Sequence, residues 1–311
     1  MGSDAGISRR PSSGTLAGFG AIVLWSTTVA LARSLSERLG PITAACAVYS
    51  VGGAVALVRL GWNAERRRSI ARLARRYLFG CGALFVAYMT VLFLSVGLAD
   101  SRRQVLEVGL LNYLWPALTI LFSLVLLNKR ATWVLVPGTA LALAGEVLVL
   151  TQGADVSVRS FTRNLSGNPA AYGLGLAAAL CWGLYSTLTR RWAGGRRRGG
   201  VDLFLPATAL ALLFMSLFVD EPRAWSMRSL AEAGFLGTAT YLAYGLWDRA
   251  MRTGNVVVVA AGSYLTPLFS TVVSCVYLAV APEPSLWLGC AMLVAGSLAS
   301  WWSVSERPGG Q

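Results

Sequence analysis

The sequence predicts an all-α integral membrane protein: ten transmembrane helices arranged as two inverted five-helix repeats around a central cavity. Three observations carry this. Apolar runs of about 20 residues recur along the chain, the length that crosses a hydrocarbon core as helix. Lysine and arginine divide unequally between the two sides those runs define. The second half of the sequence also matches the first in register.

Of 311 residues, 55% are hydrophobic and 13% charged, with a mean hydropathy of +0.59. A soluble domain carries about 25% charged residues, so roughly half the usual polar surface is missing. Ten apolar runs lie between the charged segments, at 15–34, 41–60, 77–98, 104–127, 132–151, 170–189, 203–219, 229–248, 255–279 and 285–303. Barrel strands are shorter and alternate in polarity, which these do not.

The net charge of +13 reads as a topology signal and not as nucleic-acid binding. With the N-terminus placed inside, 19 of the 27 basic residues fall on the cytoplasmic side. They are Arg9, Arg10, the seven from Arg59 to Arg76, Lys129, Arg130, the five from Arg190 to Arg198, Arg249, Arg252 and Arg307. The other eight are Arg33, Arg38, Arg102, Arg103, Arg159, Arg163, Arg223 and Arg228. Both termini are therefore expected in the cytoplasm of a multi-pass membrane protein, its lipid partner the bilayer. Ser8-Arg9-Arg10 before the first run resembles a twin-arginine signal, but no hydrophobic residues directly follow the arginines. The expected division is a cytoplasmic tail at 1–14, a first repeat at 15–151, an extracytoplasmic linker at 152–169, a second repeat at 170–303 and a cytoplasmic tail at 304–311.

At an offset of 151, Asn112-Tyr113-Leu114-Trp115-Pro116 falls on Ser263-Tyr264-Leu265-Thr266-Pro267. Pro137-Gly138-Thr139-Ala140 and Ala144-Gly145-Glu146 fall on Leu288-Gly289-Cys290-Ala291 and Ala295-Gly296-Ser297 without a gap. At an offset of 157, Trp25-Ser26-Thr27 falls on Trp182-Gly183-Leu184. Five crossings is an odd number, so the second copy enters the membrane from the opposite side. Such inverted repeats are characteristic of secondary transporters.

Pro116 and Pro267 are expected in the middle of the fourth and ninth helices, where proline cannot donate to the carbonyl four residues back. Those carbonyls belong to Asn112 and Ser263, and in hydrocarbon they must meet protein, water or ligand. Two such spots at the midplane form an expected substrate site, alongside the plainer reading that the prolines only kink their helices. Trp62, Trp133, Trp192, Trp225, Trp287, Trp301 and Trp302 read as an interfacial belt. Trp25, Tyr88, Tyr113, Trp115, Trp182, Tyr185, Tyr241, Tyr244, Trp247 and Tyr264 lie deeper and need partners for their polar tips. From these, Trp25, Tyr88, Asn112, Trp115, Trp182, Tyr185, Tyr244, Ser263 and Tyr264 are the expected substrate-binding residues. Their neutral, ring-rich character suits a hydrophobic or aromatic solute whose ammonium rests on a ring face.

Two acids lie within apolar runs, Glu107 and Glu146. An intramembrane acid suggests proton coupling, but Arg102 and Arg103 are near enough in sequence to pair with Glu107, which favours a structural role. Asp248 and Arg249 end the eighth run and are expected to snorkel. Cys46, Cys81, Cys181, Cys275 and Cys290 are scattered singly and the chain has no histidine, so no metal site or cofactor is expected. The single lysine, Lys129, lies in no phosphate-binding loop. Any driving force is then a solute gradient.

The ten helices, the two inverted units and the paired prolines resemble the EamA-type drug/metabolite transporter superfamily over about residues 15–303. Within it, the Trp-Pro of the fourth helix and the tyrosine-rich eighth and ninth helices resemble the YddG-type aromatic amino acid exporters. That resemblance implies a basket-like bundle with a central cavity and outward transport of neutral or aromatic amino acids by alternating access, a single chain sufficing. One departure is Asn128-Lys129-Arg130 where EamA units usually carry Gly-Glu-Arg, which bears on proton coupling and the inner gate. Other readings are an EamA-type exporter of other small metabolites or drugs, or a passive channel. A membrane enzyme is disfavoured, since no histidine, paired intramembrane aspartates or cysteine cluster is present.

Overall fold

Each of the ten apolar tracts is helical, as a chain must be where no water satisfies its backbone groups. The computed structural model describes residues 12–151, 157–278 and 284–306. Its first half comprises α1 (Ser13–Leu39), α2 (Pro41–Trp62), α3 (Ala64–Ala71), a π-helical turn (Arg76–Cys81) continuing into α4 (Gly82–Gly97), α5 (Arg102–Asn112), α6 (Trp115–Leu126), β1 (Lys129–Ala131) and α7 (Leu135–Leu150). After α8 (Val158–Gly167) come α9 (Pro169–Ala193), α10 (Val201–Ser216), α11 (Met227–Thr253), α12 (Val256–Ser263), α13 (Thr266–Leu278), α14 (Pro284–Ser303) and β2 (Val304–Glu306).

Among the described residues, five helices are long and apolar enough to cross a membrane: Pro41–Trp62, Arg76–Gly97, Arg102–Leu126, Pro169–Ala193 and Leu286–Ser303. The bent α1 makes a sixth, and α7 and α10 are shorter apolar helices. The chain is a helical membrane protein. Its only departure from all-helical among the described residues is a short ribbon in which Lys129 to Ala131 pair antiparallel with Glu306 to Val304. Trp62 and Trp133, assigned to the interfacial belt, are 89% and 81% exposed.

Both prolines require a correction. Neither lies mid-helix: Pro116 is the second residue of α6 and Pro267 the second of α13, each after a turn that ends the preceding helix. Proline is tolerated in a first helical turn, where its absent N–H would have no partner anyway. The fourth and ninth tracts are thus broken at the same place. The 152–169 linker also holds structure: Ser157 opens α8 with a reciprocal cap, its side chain accepting from Ser160 N–H at 3.1 Å while Ser160 Oγ accepts from Ser157 N–H at 3.0 Å.

Packing partners exchange under the repeat register. α1 lies along α11 and α9 along α4; α2 meets α11 and α10 meets α4; α13 packs on α1 and α6 on α9. The register mates α2 and α10 pair with each other, as do α7 and α14.

The α7–α14 crossing is held close by glycine. A Cβ on Gly145 would stand 2.6 Å from the Gly289 carbonyl oxygen, and one on Gly296 would meet the backbone of Ala142. Small residues let membrane helices gain contact where no hydrophobic effect separates helix from lipid. Gly145→Val is expected to lower the melting temperature of the purified protein by forcing backbone apart, whereas Gly109→Ala, facing open space, leaves it nearly unchanged. Equal melting for both would show that the crossing tolerates spreading. Gly14 and Gly18 likewise press on Thr253 and Val259 inside the bundle.

Candidate functional site

Three helices each present two rings three residues apart, a spacing that puts both on one helix face: Phe85 and Tyr88 on α4, Trp182 and Tyr185 on α9, Tyr244 and Trp247 on α11. The packing of α1, α4, α6, α9 and α11 brings these faces together, with Trp25 and Trp115 completing the group. Trp182 is its hub. Its ring centroid lies 4.7 Å from that of Tyr88, 5.0 Å from Tyr185, 5.6 Å from Tyr244 and 5.9 Å from Trp247 and from Phe85. Trp25 is 5.2 Å from Trp247, and Trp115 is 5.3 Å from it on a perpendicular face. Such separations are those of favourable aromatic pairs.

The polar tips find partners within the protein. Trp247 Nε1 donates to Ser186 Oγ at 3.2 Å, and the Tyr49 and Tyr244 hydroxyls share a hydrogen bond of 2.9 Å. Asn112 stands beside the Tyr88 hydroxyl. Six expected ring residues (Trp25, Tyr88, Trp115, Trp182, Tyr185 and Tyr244) therefore meet in one place. They pack mostly edge-on or tilted against one another, with only Trp182 and Trp247 stacked.

Ser263 and Tyr264 are placed elsewhere, in a second cluster among α6, α7, α12 and α14. Ser263 Oγ donates to the Ala260 carbonyl at 2.6 Å. Around this break, Ser26 Oγ donates to the Thr266 carbonyl at 3.3 Å and Ser297 Oγ to that of Ala261 at 2.7 Å. These hydroxyls tie α1 and α14 to the two helices that flank the break. Tyr264 is fully buried with no partner for its hydroxyl among the described residues. Neither carboxyl oxygen of buried Glu146 has a partner there, nor does Asn112 Oδ1. Glu146 lies close enough to act electrostatically on Tyr113 and Tyr264.

Glu107 is buried midway along α5, and its partners come from α8 and α9. Ser160 Oγ and Asn164 Nδ2 each donate to it at 3.0 Å, and the Tyr172 hydroxyl donates as well. The linker helix therefore closes over this acid.

At the opposite end of α9, Asp248 departs from expectation. It does not snorkel: it is 1% exposed, because the crossing of α4, α9 and α11 surrounds it with donors. Tyr77 donates to its carboxylate at 2.6 Å, Tyr185 at 3.3 Å, and Arg252 Nε at 2.8 Å. Arg252 also donates to the Arg196 carbonyl, and Tyr77 Oη accepts from Gly200 N–H at 2.7 Å. Asp202, on the first turn of α10, accepts from Arg66 and from Tyr241 at 2.9 Å. Partial burial opposes the charge on Arg66, but hydrogen bonding and attraction to Asp202 outweigh it, so its guanidinium holds its proton more firmly than a free arginine. These two networks tie α3, α4, α9, α10 and α11 together beneath the rings.

The EamA-like transporter family model matches the chain twice, over residues 12–151 and 169–302. The chain belongs to this family. It is 35% identical over 294 residues to the aromatic amino acid exporter YddG of Salmonella typhimurium, covering 94% of this chain and 98% of that protein. It is 36% identical over 292 residues to the protein of the same name from Escherichia coli, covering 92% and 96%. A solved crystal structure aligns with a TM-score of 0.77 at 30% identity, covering 94% of this chain and 96% of that one. The chain is accordingly a membrane transporter and not an enzyme.

In this EamA-like transporter, sequence reasoning passed over Tyr49, Phe85 and Phe204 as ordinary apolar-run residues and set Trp247 and Tyr241 aside. The three ring pairs at i, i+3 were a readable signal for Phe85 and Trp247. The Asp248–Arg252 pair was readable too, at the i, i+4 spacing that favours ion pairs on a helix. Tyr77 and Gly200 carried no such mark, since only packing brings them to Asp248.

Proposed function

We propose that the chain exports aromatic and other neutral amino acids, or related metabolites, by alternating access across the bacterial inner membrane. The transport unit is a ten-helix bundle of two inverted five-helix repeats, with the substrate site near the midplane between them. The carrying observation is the convergence of rings from both repeats on Trp182: Trp25, Phe85, Tyr88 and Trp115 from one, Tyr185, Tyr244 and Trp247 from the other. A substrate ring takes the place of one wall ring when the halves separate, and its ammonium rests on an aromatic face. The names of the relatives, the exchange of packing partners under the repeat register and the double family match support this reading.

Access alternates between the two ends. The Asp248 and Asp202 networks hold one end shut, and their release opens that side to the rings. The Glu107 cluster under α8 occupies the other end.

The test is counterflow in liposomes loaded with unlabelled tryptophan. Purified protein is expected to accelerate uptake of labelled tryptophan, phenylalanine, methionine or threonine, with saturation. Rates equal to protein-free liposomes for all four would overturn the proposal, and flux linear in concentration would make the protein a channel. In the same assay Trp115→Ala is expected to slow transport at least fivefold with little loss of membrane insertion. Glu107→Gln and Glu146→Gln read out proton coupling, which requires that at least one of them abolish the pH dependence of flux.

A further inference from the structure

Two segments far apart in sequence converge on one concavity at the end of the bundle closed by Asp248. α3 and the turn after it contribute Arg68 and Arg72; the turn between α9 and α10 contributes Arg196, Arg197 and Arg198. The concavity has a volume of about 450 Å³, and Glu65 is its one acid. Arg197 and Arg198 also line two adjoining concavities, where Arg249 joins them.

The acids nearby leave most of this charge uncompensated. Glu65 pairs with Arg198 at 3.1 Å. Asp202 is committed to Arg66 and Asp248 to Arg252. Among the described residues, no carboxylate pairs with Arg68, Arg72 or Arg197. One nitrogen of Arg198, Nη1, is buried and has no hydrogen-bond partner. A buried cationic donor without an acceptor is costly, more so than a neutral one. The topology rule accounts for how many basic residues a loop holds, but it does not require two loops to share one concavity.

All five cations are arginine. The planar guanidinium matches phosphate oxygens in a bidentate fork, which an ammonium cannot do. We propose that this arginine basin binds a phosphate-bearing anion, either an acidic phospholipid headgroup at the membrane surface or a free phosphate. Bound there, the anion bridges α3 to the α9–α10 turn. It thereby stabilises the closed end, because both segments also hold the Asp202 and Asp248 networks.

The experiment compares wild type with the Arg68→Gln/Arg72→Gln/Arg197→Gln triple variant, none of whose altered residues takes part in the ring cluster or in an ion pair. One arm measures melting in detergent with added phosphatidylglycerol against phosphatidylcholine. The other titrates sodium phosphate against sodium chloride at matched ionic strength. Phosphatidylglycerol alone is expected to raise the melting temperature of wild type if the source is lipid, and phosphate alone to do so if it is free. In either case the triple variant binds on the order of a hundredfold more weakly. A triple Arg→Lys variant, which keeps the charge, retains part of the effect. A wild type that responds to neither ligand, or a triple Gln variant that responds as wild type does, overturns the proposal.

Discussion

Asp248→Asn is expected to destabilise the protein by about 3–5 kcal/mol, the usual cost of removing one partner from a buried ion pair. The reason lies in what remains. Arg252 is 3% exposed and keeps its charge. It is left with the Arg196 carbonyl and no carboxylate, while the Tyr77 and Tyr185 hydroxyls lose a charged acceptor. Melting of the purified protein in detergent, followed by tryptophan fluorescence, reads the loss directly. Adding Arg252→Gln removes the orphaned charge, so the double variant should lose less than the two single losses added together. An Asn variant that melts with wild type would mean the pair is exposed to water in the working protein. On the proposed mechanism, in which this network holds one end shut, the variant that still folds is also expected to leak substrate faster at that end.

Trp182→Ala is expected to cost about 3–5 kcal/mol, typical of deleting a buried aromatic side chain, and to reduce tryptophan counterflow at least tenfold. Trp182 is 2% exposed and touches rings from α1, α4, α6 and α11, so its loss opens a void no single neighbour can fill. Trp182→Phe separates the two effects. It restores a ring face and is expected to recover most of the stability, while transport of tryptophan stays below wild type and transport of phenylalanine changes less. If the Ala variant folds and transports normally, the ring cluster is a core and not the route.

Much of the architecture was legible in the sequence because hydrocarbon leaves few options. A run such as 41–60 has one stable form there, and it is α2 with two residues added at the C-terminal end. The register of 151 paired the two prolines, which were expected mid-helix; in the structure each instead follows a turn, at Tyr113-Leu114 and Tyr264-Leu265, and starts a helix. Ring chemistry was also legible: a tryptophan or tyrosine far from the interface needs company for its polar tip. Which rings meet was not. Tyr264 and Tyr244 look alike in sequence, yet the first lies in the α7–α14 cluster and the second beside Trp182.

Charged residues mark the boundary most clearly. Asp248 is a run-ending acid by sequence, and that position alone suggests a side chain reaching for water. In the structure Tyr77, Tyr185 and Arg252 surround it instead. Glu107 shows the same thing at the other end, where its partners Ser160, Asn164 and Tyr172 lie more than 50 positions away.

The sequence by itself determined the membrane class and the two matching halves, because these follow from local polarity, backbone hydrogen bonding and repetition along one chain. The tertiary structure alone decided which rings share a centre, which acids are buried and which arginines face one basin. Those depend on the rotation and crossing of helices about one another, which is set by small-residue contacts such as Gly145 against Gly289 and by partners supplied from distant segments. No local pattern records that geometry.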